Sequence, residues 1–557
     1  MRKRLVALVL GGLMTTSLLA GCGGSASTDK STETAKAGSS EEAVASASSS
    51  DVSENVETGT DDKTITVSVQ SGVGVQEQWE AVAKAYEKLH PDVTIDVDLK
   101  AADGYDQWVQ TAFTTEDPKA DIVNINLAGN TKTGKSINYS DYIDNDSPYS
   151  DGTWGEQFDV SKQRKTGATG AFDALSLESV QVLWLYNKDI FEKVGVEPPT
   201  TWDELVNVCQ KLKDAGYQPI AMPGNYDSFY SGTMGWLSQI YADQTTRSMV
   251  NENRAQEGDW DFDPDIDGSW TYDPTDPWND DSDKVTQNPS RAFANIKNGV
   301  YRGDTDGMKA VWTNFAKVFP AYVGGDAFFG TDADGAKTLF YQGKAAMMVN
   351  GAWGVIDFMN DMKALDSGKD IEDSSGNAIS NVQKFSLGTF NMPTMEGDKF
   401  EAPARTIEVA LGFLGCISKT QEHNDLVVDF LEYYSSKEGQ SIAINARLDA
   451  GGSVNGPSLV YGVEYPEEIQ AAFDQMTFIG NCQKDFSNTL ARGIGESAET
   501  FREFYQYSYD YLNGKISIDE WAKDHENNIM EHVDAAMEDN GIGENDLQSP
   551  QNEPTGN

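Results

Sequence analysis

Residues 64–99 read TITVSVQSGVGVQEQWEAVAKAYEKLHPDVTIDVDL and contain the pattern that decides the fold. Apolar residues alternate over 64–69, which predicts a half-buried strand. They then recur at helical spacing up to Leu89, and the helix is expected to end before Pro91, because the residue preceding a proline disfavours helix. Alternation resumes over 93–99. A strand, a helix and a strand within about 35 residues form one crossover unit, so the chain opens with a largely parallel α/β sheet.

The same alternation of elements continues along the chain. A helix over 106–113 and a strand over 121–127 extend the first unit. In a second block, Thr201 and Glu204 form a capping box, in which each side chain bonds the backbone amide of the other, so a helix is expected to begin there. Further strands are predicted at 182–186 and 345–349, with a helix at 336–342. These elements predict an α/β protein with two lobes.

The N-terminus carries an export signal. Three basic residues precede the apolar run 5–20, which is shorter than the about 20 residues that cross a bilayer. The run ends in Leu19-Ala20-Gly21-Cys22, which resembles a bacterial lipobox and predicts that Cys22 is lipidated. Residues 23–62 contain no aromatic residue and are rich in Ser, Ala, Gly, Thr and Glu, so they are predicted to be a disordered tether. The alternative is a secreted protein with an incidental cysteine.

The charge of the chain limits its partners. It has 89 acidic and 42 basic residues, with a formal net charge of -47. Nucleic acids and anionic lipid surfaces are polyanions, so neither is an expected partner. Of the four cysteines, Cys22 is assigned to the lipid, while Cys209, Cys416 and Cys482 form no CxxC pair. Neither a disulfide framework nor a zinc site is therefore predicted.

An acidic segment over 251–306 interrupts the second block. It is rich in Asp, Trp, Pro, Asn and Gly without clear periodicity, which is typical of an inserted, loop-rich excursion. Within it Asp263, Asp265 and Asp267 match the start of a calcium-binding loop, but Pro274 stands where such a loop needs a bidentate Glu. Calcium binding is therefore a weak hypothesis beside that of a solvated acidic loop.

Two long segments resemble the family 1 extracellular solute-binding proteins, the maltose-binding-protein-like group of sugar receptors. The first reads LYNKDIFEKVGV at 185–196 and continues as PPTTWDEL at 198–205. The second reads FYQGKAAM at 340–347 and is followed by GAW at 351–353. The resemblance extends over nearly the whole chain after the tether. The acidic insertion departs from the shorter members of the family.

The resemblance implies a two-lobe periplasmic-binding-protein-like (type II) fold with hinge strands and a cleft between the lobes. It also implies a monomeric, lipid-anchored extracytoplasmic receptor without a cofactor, which binds an oligosaccharide and passes it to an ABC importer in the membrane. The expected parts are a signal with lipobox at 1–22, lobe 1 at 63–175, lobe 2 at 176–395, a return to lobe 1 at 396–440, a C-terminal helical part of lobe 2 at 441–540 and a tail at 541–557.

Trp353 is the first candidate for a sugar-stacking platform. It follows a predicted strand through Gly351, and loops at strand ends line the clefts of α/β proteins. In the family, the Gly-x-Trp segment at this position faces the ligand; the alternative is a core tryptophan. Further candidates lie near other strand ends, in glycine-containing segments or beside an apolar run: Gln70, Ser71, Asn126, Trp236, Trp154 and Arg405.

The sequence offers little enzyme chemistry. The chain has four histidines, of which His525 and His532 are two helical turns apart and are predicted to be exposed. No GxSxG nucleophile elbow occurs. A lipid-anchored glycosidase remains an alternative, since a pair of carboxylates is recognised only in three dimensions. A receptor for another polar solute is the third hypothesis.

Overall fold

The computed structural model describes residues 56–125, 134–160, 163–166, 171–230, 232–281, 283–483, 490–495 and 497–556. The predicted signal, Cys22 and Asn126 lie outside the described residues. None of the described helices is long and apolar enough to cross a membrane. The strands are β1 Thr64–Ser68, β2 Thr94–Val97, β3 Ile122–Asn124, β4 Arg164–Thr166, β5 Ala171–Ala174, β6 Glu178–Asn187, β7 Gln218–Ala221, β8 Ala345–Gly351, β9 Leu387–Phe390, β10 Glu408–Leu411 and β11 Leu414–Cys416.

The helices, again in chain order, are α1 Val75–Leu89, α2 Tyr105–Thr114, α3 Lys188–Val194, α4 Trp202–Asp214, α5 Tyr226–Phe229, α6 Thr233–Thr246, α7 Val250–Asn253, α8 Pro289–Lys297, α9 Asp306–Phe315, α10 Ala333–Tyr341, α11 Trp353–Asp366, α12 Gln421–Tyr434, α13 Lys437–Asp449, α14 Glu467–Phe473, α15 Ala498–Leu512 and α16 Ile518–Asp539.

The first lobe is built on a sheet in the order β11-β3-β1-β2. β1 runs parallel to β2 and β3, and β11 is antiparallel to β3. α1 connects β1 to β2 and buries Trp79, Val82 and Tyr86, so the predicted crossover unit is confirmed. The helix ends at Leu89, and its C-cap His90 lies directly before the proline, as expected. α12 and α13 pack beside α1 on this lobe.

The second lobe contains a sheet in the order β10-β6-β8-β7, with β9 also paired to β6. β7 and β8 are parallel, whereas β6 is antiparallel to β8, β9 and β10. The sheet is therefore mixed. The predicted capping box of α4 is present, because the Thr201 hydroxyl accepts from the Glu204 amide while the Glu204 carboxylate accepts from the Thr201 amide.

β4 and β5 form a separate two-stranded sheet, and the chain crosses between the lobes between β5 and β6, between β10 and β11, and again after α13. β10 belongs to the second sheet and β11 to the first, so the return to the first lobe begins after residue 411 rather than at 396. α13 packs against α1, so the first lobe extends to about residue 449 rather than 440. Pairing over such distances in sequence leaves no local signal, which explains both differences.

The folded body begins earlier than the sequence suggested. The Gly59 amide donates to the Asp117 carbonyl at 3.0 Å, and the Lys119 amide donates to the Glu57 carbonyl at 2.8 Å. Val56 packs against the apolar cluster around α2. Residues 56–62 therefore lie along the first lobe instead of in the tether.

The acidic insertion is more ordered than predicted. It contains α8, which buries Phe293 and Ile296 in a small separate core shared with α16 and Ile542. The tail joins this unit, because the Pro550 carbonyl accepts from the Asn288 side chain at 3.1 Å. Periodicity over the nine residues of α8 was too short to reveal a core whose other half is about 240 residues away in the chain.

His525 is buried, and its predicted exposure is wrong. One ring nitrogen lies 2.9 Å from the Tyr507 hydroxyl and the other 2.7 Å from the Leu490 carbonyl. Burial lowers the pKa of His525 to about 4. His532 is half-buried and lies 3.3 Å from the Glu503 carboxylate, so the two histidines do not form a common site.

Glu432 on α12 gives the fold a pH-dependent element. Glu432 is 8% exposed, and burial raises the pKa of its carboxyl group to about 7. The nearby Asp429 carboxylate also raises this pKa, whereas a hydrogen bond with Ser147 lowers it. Between about pH 4.5 and 7 the unfolded chain has released this proton while the folded protein still holds it. The free energy of unfolding should therefore fall as the pH rises through this window.

Replacing Glu432 with Gln removes this contribution. We expect the variant to be more stable than the parent at pH 8 by up to about 3 kcal/mol, with the difference vanishing near pH 4. Urea unfolding at a series of pH values measures it, and Glu438→Gln, at an exposed glutamate on α13, is the control. A difference between Glu432→Gln and parent that does not change with pH would contradict the prediction.

Candidate functional site

One edge of the second sheet faces the first lobe. β7 and β8 run parallel, so both end at this edge. β6 starts there, because Val182 pairs with Gly351, the last residue of β8. The chain reaches β6 directly from the first lobe, where Leu175 bridges to Leu414 of β11. The residues that follow β7 and β8 therefore lie at the boundary between the lobes.

The first sheet presents a matching edge. β1, β2 and β3 are parallel and end together, and β11 enters the sheet at this edge opposite Asn124. Since β11 follows the crossing from the second lobe, this edge faces the second sheet. A cleft between two such edges is the position in which open α/β sheets bind ligands.

Trp353 and Trp236 meet at the second-lobe edge. Trp353 is the first residue of α11, directly after β8, and Trp236 lies in the first turns of α6, which follows β7. Both side chains are half-buried, and their rings contact edge to face with centroids 6.1 Å apart. Gly351 makes this possible, because a Cβ there would lie 1.9 Å from the Trp353 ring. The structure thus brings three predicted site residues together.

The start of α11 adds polar donors beside the indole. The first amides of a helix have no acceptor within the helix. Ala352, at the N-cap of α11, has no side-chain acceptor for them. An apolar ring next to backbone donors suits a ligand with both apolar faces and hydroxyl groups.

Gln70 and Ser71 lie at the opposite edge. Both are exposed and follow β1. The Gln70 amide donates to the Asn124 side-chain oxygen at 2.9 Å, and the Ser71 amide donates to the Lys100 carbonyl at 2.7 Å. These bonds hold the connection that follows β1 while leaving the two side chains at the surface. Asn126, the third candidate of this edge, lies outside the described residues.

Trp154 is a core residue of the first lobe. Its side chain is 0% exposed, and its indole nitrogen donates to the Ser435 hydroxyl at 2.7 Å. Tyr139 and Phe158 contact the ring edge to face at 5.6 and 6.1 Å. No surface is left for a ligand, so the prediction of a ligand-binding role for Trp154 is corrected to a packing role.

Arg405 is also buried, and its predicted contact with ligand is corrected. Its guanidinium makes paired hydrogen bonds to Asp243 at 2.6 and 3.0 Å and to Asp280 at 2.6 and 2.8 Å. All three side chains are almost fully buried. With its donors used in this way, Arg405 connects parts of the protein instead of contacting a sugar.

The calcium hypothesis finds little support in the geometry. Asp263 and Asp267 accept hydrogen bonds from backbone amides of the same loop and of Thr286, at 2.7 to 3.0 Å, while Asp265 is exposed. Among the described residues, no group of three or more His, Cys, Asp and Glu side chains is arranged to hold a metal ion. The carboxylates of Asp263 and Asp267 stabilise the turns of the loop by accepting hydrogen bonds from backbone amides.

A polar cluster at the hinge was missed by sequence reasoning. Glu178, the first residue of β6, accepts from Asn455 at 2.5 Å and from Arg447 at 3.2 Å. Gly456, the residue after Asn455, packs against Ala352, because a Cβ on Gly456 would lie 3.5 Å from the Cβ of Ala352. The cluster therefore lies at the base of the cleft, near Trp353. Its members come from separate crossings, which only the fold brings together.

The Glu178 carboxylate is not free to act in the hydrolysis of a glycoside. Hydrolysis of a glycoside needs one carboxyl group to donate a proton and another to act as base or nucleophile. The Glu178 carboxylate has both oxygens engaged, one by Arg447 and one by Asn455. The three cysteines Cys209, Cys416 and Cys482 are buried free thiols. Burial raises the pKa of each, so they are poor nucleophiles.

The sequence model of the bacterial extracellular solute-binding proteins matches residues 72–441, more than half of the chain. The chain therefore belongs to this family, as the resemblance of its two motifs implied. Membership of this family agrees with the two-lobe architecture of the structure.

Solved structures share the fold at low sequence identity. Apo RafE from Streptococcus pneumoniae matches at TM-score 0.53 and 15% identity, over 84% of this chain and 97% of that one. The cyclic alpha-maltosyl-1,6-maltose binding protein from Arthrobacter globiformis matches at 0.51 and 12%, over 84% and 98%. A family 1 extracellular solute-binding protein from Bifidobacterium longum subsp. infantis matches at 0.50 and 18%, over 84% and 99%.

Proposed function

We propose that this solute-binding protein captures an oligosaccharide in the cleft between its lobes and delivers it to an ABC importer. The observation that carries the proposal is the pair of half-buried indoles, Trp353 and Trp236, at the sheet edge that faces the first lobe. Sugar rings present flat C–H faces that pack on indoles, while helix amides and polar side chains serve their hydroxyls. The maltose-type ligand in the name of the Arthrobacter globiformis protein supports this class of cargo.

Closure of the lobes gives delivery a physical basis. The ligand contacts both lobes only when they approach, so binding shifts the population toward a closed form that an importer is able to recognise. The hinge cluster of Glu178, Arg447 and Asn455 connects two of the segments that cross between the lobes. We therefore expect the lobes to move about this cluster.

Calorimetry against a panel of mono- and oligosaccharides tests the proposal. The panel includes maltooligosaccharides, xylooligosaccharides, raffinose and galactose, with amino acids and short peptides as controls. We expect saturable binding of at least one oligosaccharide without chemical change. Binding restricted to peptides or amino acids would overturn the carbohydrate assignment, and release of reducing ends from a bound oligosaccharide would identify a glycosidase instead.

We further propose that Cys22 anchors the protein to the outer face of the cell membrane. We expect Cys22→Ser to fold and bind ligand normally but to leave the membrane fraction, because the described body begins at residue 56. Cell fractionation and fatty-acid labelling measure this, with Ser27→Ala in the tether as the matched control. A Cys22→Ser variant that still labels and sediments with membranes would refute the anchor.

A further inference from the structure

A buried charge network joins the inserted segment 251–306 to the second lobe. One side of the Arg405 guanidinium pairs with Asp280 of the insertion, and the other pairs with Asp243 of α6. Arg405 also donates to the Pro277 carbonyl at 3.0 Å. Arg405 is therefore the point at which the insertion, α6 and the approach to β10 are held together.

The network is closed and balanced in charge. Arg247 pairs with Asp243 at 2.6 Å and donates to the Pro403 carbonyl at 2.7 Å. Two guanidinium groups thus face two carboxylates away from water. Buried charges are tolerated when they are paired and hydrogen-bonded, but loss of one partner leaves an uncompensated charge. An insertion held in this way is a fixed part of the lobe and not a loosely attached lid.

The network lies on the face of α6 that carries Trp236. Asp243 and Arg247 follow Trp236 by seven and eleven residues, which returns to the same helix face after two and three turns, about 10 and 17 Å along the axis. Between them, Gln239 donates to Gln483 at 3.4 Å. The helix that carries Trp236 is therefore also the helix to which the insertion is tied, two to three turns further along the same face.

The insertion also packs against the segment that borders this face. Asn481 forms a bridge with Thr406, and its side-chain oxygen accepts from the Glu408 amide at 3.0 Å. Gly480 approaches the insertion closely, since a Cβ there would lie 2.6 Å from the Pro277 carbonyl oxygen. Residues 477–483 thus form a layer between the β10 edge and the insertion.

The insertion contains surfaces that suit sugar rings. Four of its aromatic residues are half-buried: Trp260, Trp270, Tyr272 and Trp278. The Trp270 indole is fixed by a 2.7 Å hydrogen bond to the Asn279 carbonyl and by Arg254 over its ring. Rigid aromatic groups of this kind are the side chains that give large contact areas at small loss of entropy.

We propose that Arg405 is a positioning residue that holds segment 251–306 as a wall beside the cleft, where it contacts the outer units of a long oligosaccharide. The inference rests on the proposed function, since it requires a saccharide at Trp353 and Trp236. It adds that the insertion determines preference for chain length, and that Arg405 acts through Asp280 without contacting the ligand.

Asp280→Asn in the full chain tests the proposal, and Asp259→Asn is its matched control. Asp259 lies in the same insertion, has an equally buried carboxylate and pairs with Arg291 at 2.6 and 2.8 Å, away from Arg405. Both changes replace one buried carboxylate by an amide opposite an arginine. Affinities are measured by calorimetry for maltooligosaccharides and xylooligosaccharides of two to six units, together with chymotrypsin cleavage within 251–306.

We expect Asp280→Asn to weaken binding of the six-unit chains about tenfold, the effect of one good contact, while two-unit chains bind as before. The insertion should also be cleaved faster than in Asp259→Asn. Equal changes in affinity for short and long saccharides, or tighter binding of the long ones, would overturn the proposal that the insertion forms a wall beside the cleft. Cleavage no faster than in the control would overturn the positioning role of Arg405 even if no saccharide binds, an outcome that would separately refute the proposed function.

Discussion

Replacing Trp353 with alanine should weaken binding of the saccharide ligand about 30-fold to 1000-fold. Truncation of an aromatic anchor at the centre of a binding site costs about 2 to 4 kcal/mol, and each 1.4 kcal/mol is a factor of ten. The indole is half-buried at the edge that faces the first lobe, and its buried part rests against Trp236 and Gly351. Loss of the platform should therefore reduce affinity far more than stability.

Paired measurements separate this role from simple packing. Calorimetry gives the affinity, and urea unfolding of the ligand-free protein gives the stability. Tyr322→Ala is the control, because Tyr322 is another half-buried aromatic residue of the second lobe. It contacts Gln210 and Lys213 near the end of α4, which leads into the opposite end of β7. If Trp353→Ala lost stability but kept its affinity, Trp353 would be removed from the site.

The first lobe could be predicted from sequence because its signals are local. The strands and helix over 64–99 alternate between periods of two and 3.6 residues, and Pro91 marks the end of the helix. The capping box at Thr201 is equally local. These features depend on neighbours a few residues away, so the structure reproduces them within a few positions.

The second sheet and the lobe boundaries depend on distant pairing instead. Periodicity indicates that β6 is a strand but not that it is antiparallel to β8, whose residues lie about 165 positions later. β10 and β11 belong to different sheets because the chain crosses from one lobe to the other within a few residues, at 411–414. No local pattern distinguishes a strand that continues one sheet from a strand that begins the next.

The candidate site shows the same division. The position of Trp353 at the end of a strand was predictable, because a glycine and a strand end precede it in a family motif; its contact with a ligand stays a prediction. Trp154 has a similar local setting beside Gly155, yet its partner Ser435 lies 281 positions away. Arg405 likewise meets its two carboxylates across 162 and 125 positions. Burial of these two side chains is a property of the assembled fold, which sequence inspection did not reach.

Trp154→Ala should show the opposite behaviour to Trp353→Ala. Removing a fully buried tryptophan leaves a large cavity and is expected to lower the free energy of unfolding by about 3 to 5 kcal/mol. The Ser435 hydroxyl also loses the indole donor, although it still donates to the Leu431 carbonyl at 2.7 Å. The ring lies inside the first lobe against Tyr139 and Phe158, so the affinity of the folded molecules should stay close to that of the parent.

Urea unfolding and calorimetry at a temperature where the variant is folded check this expectation. Trp154→Phe is the graded control, because it keeps much of the ring volume while removing the hydrogen bond to Ser435. Its stability should lie between those of the parent and Trp154→Ala, since most of the loss comes from the cavity and less from the missing donor. A Trp154→Ala variant that unfolds like the parent but binds sugar tenfold more weakly would show that Trp154 contacts the ligand. It would contradict the burial of Trp154 beside Ser435.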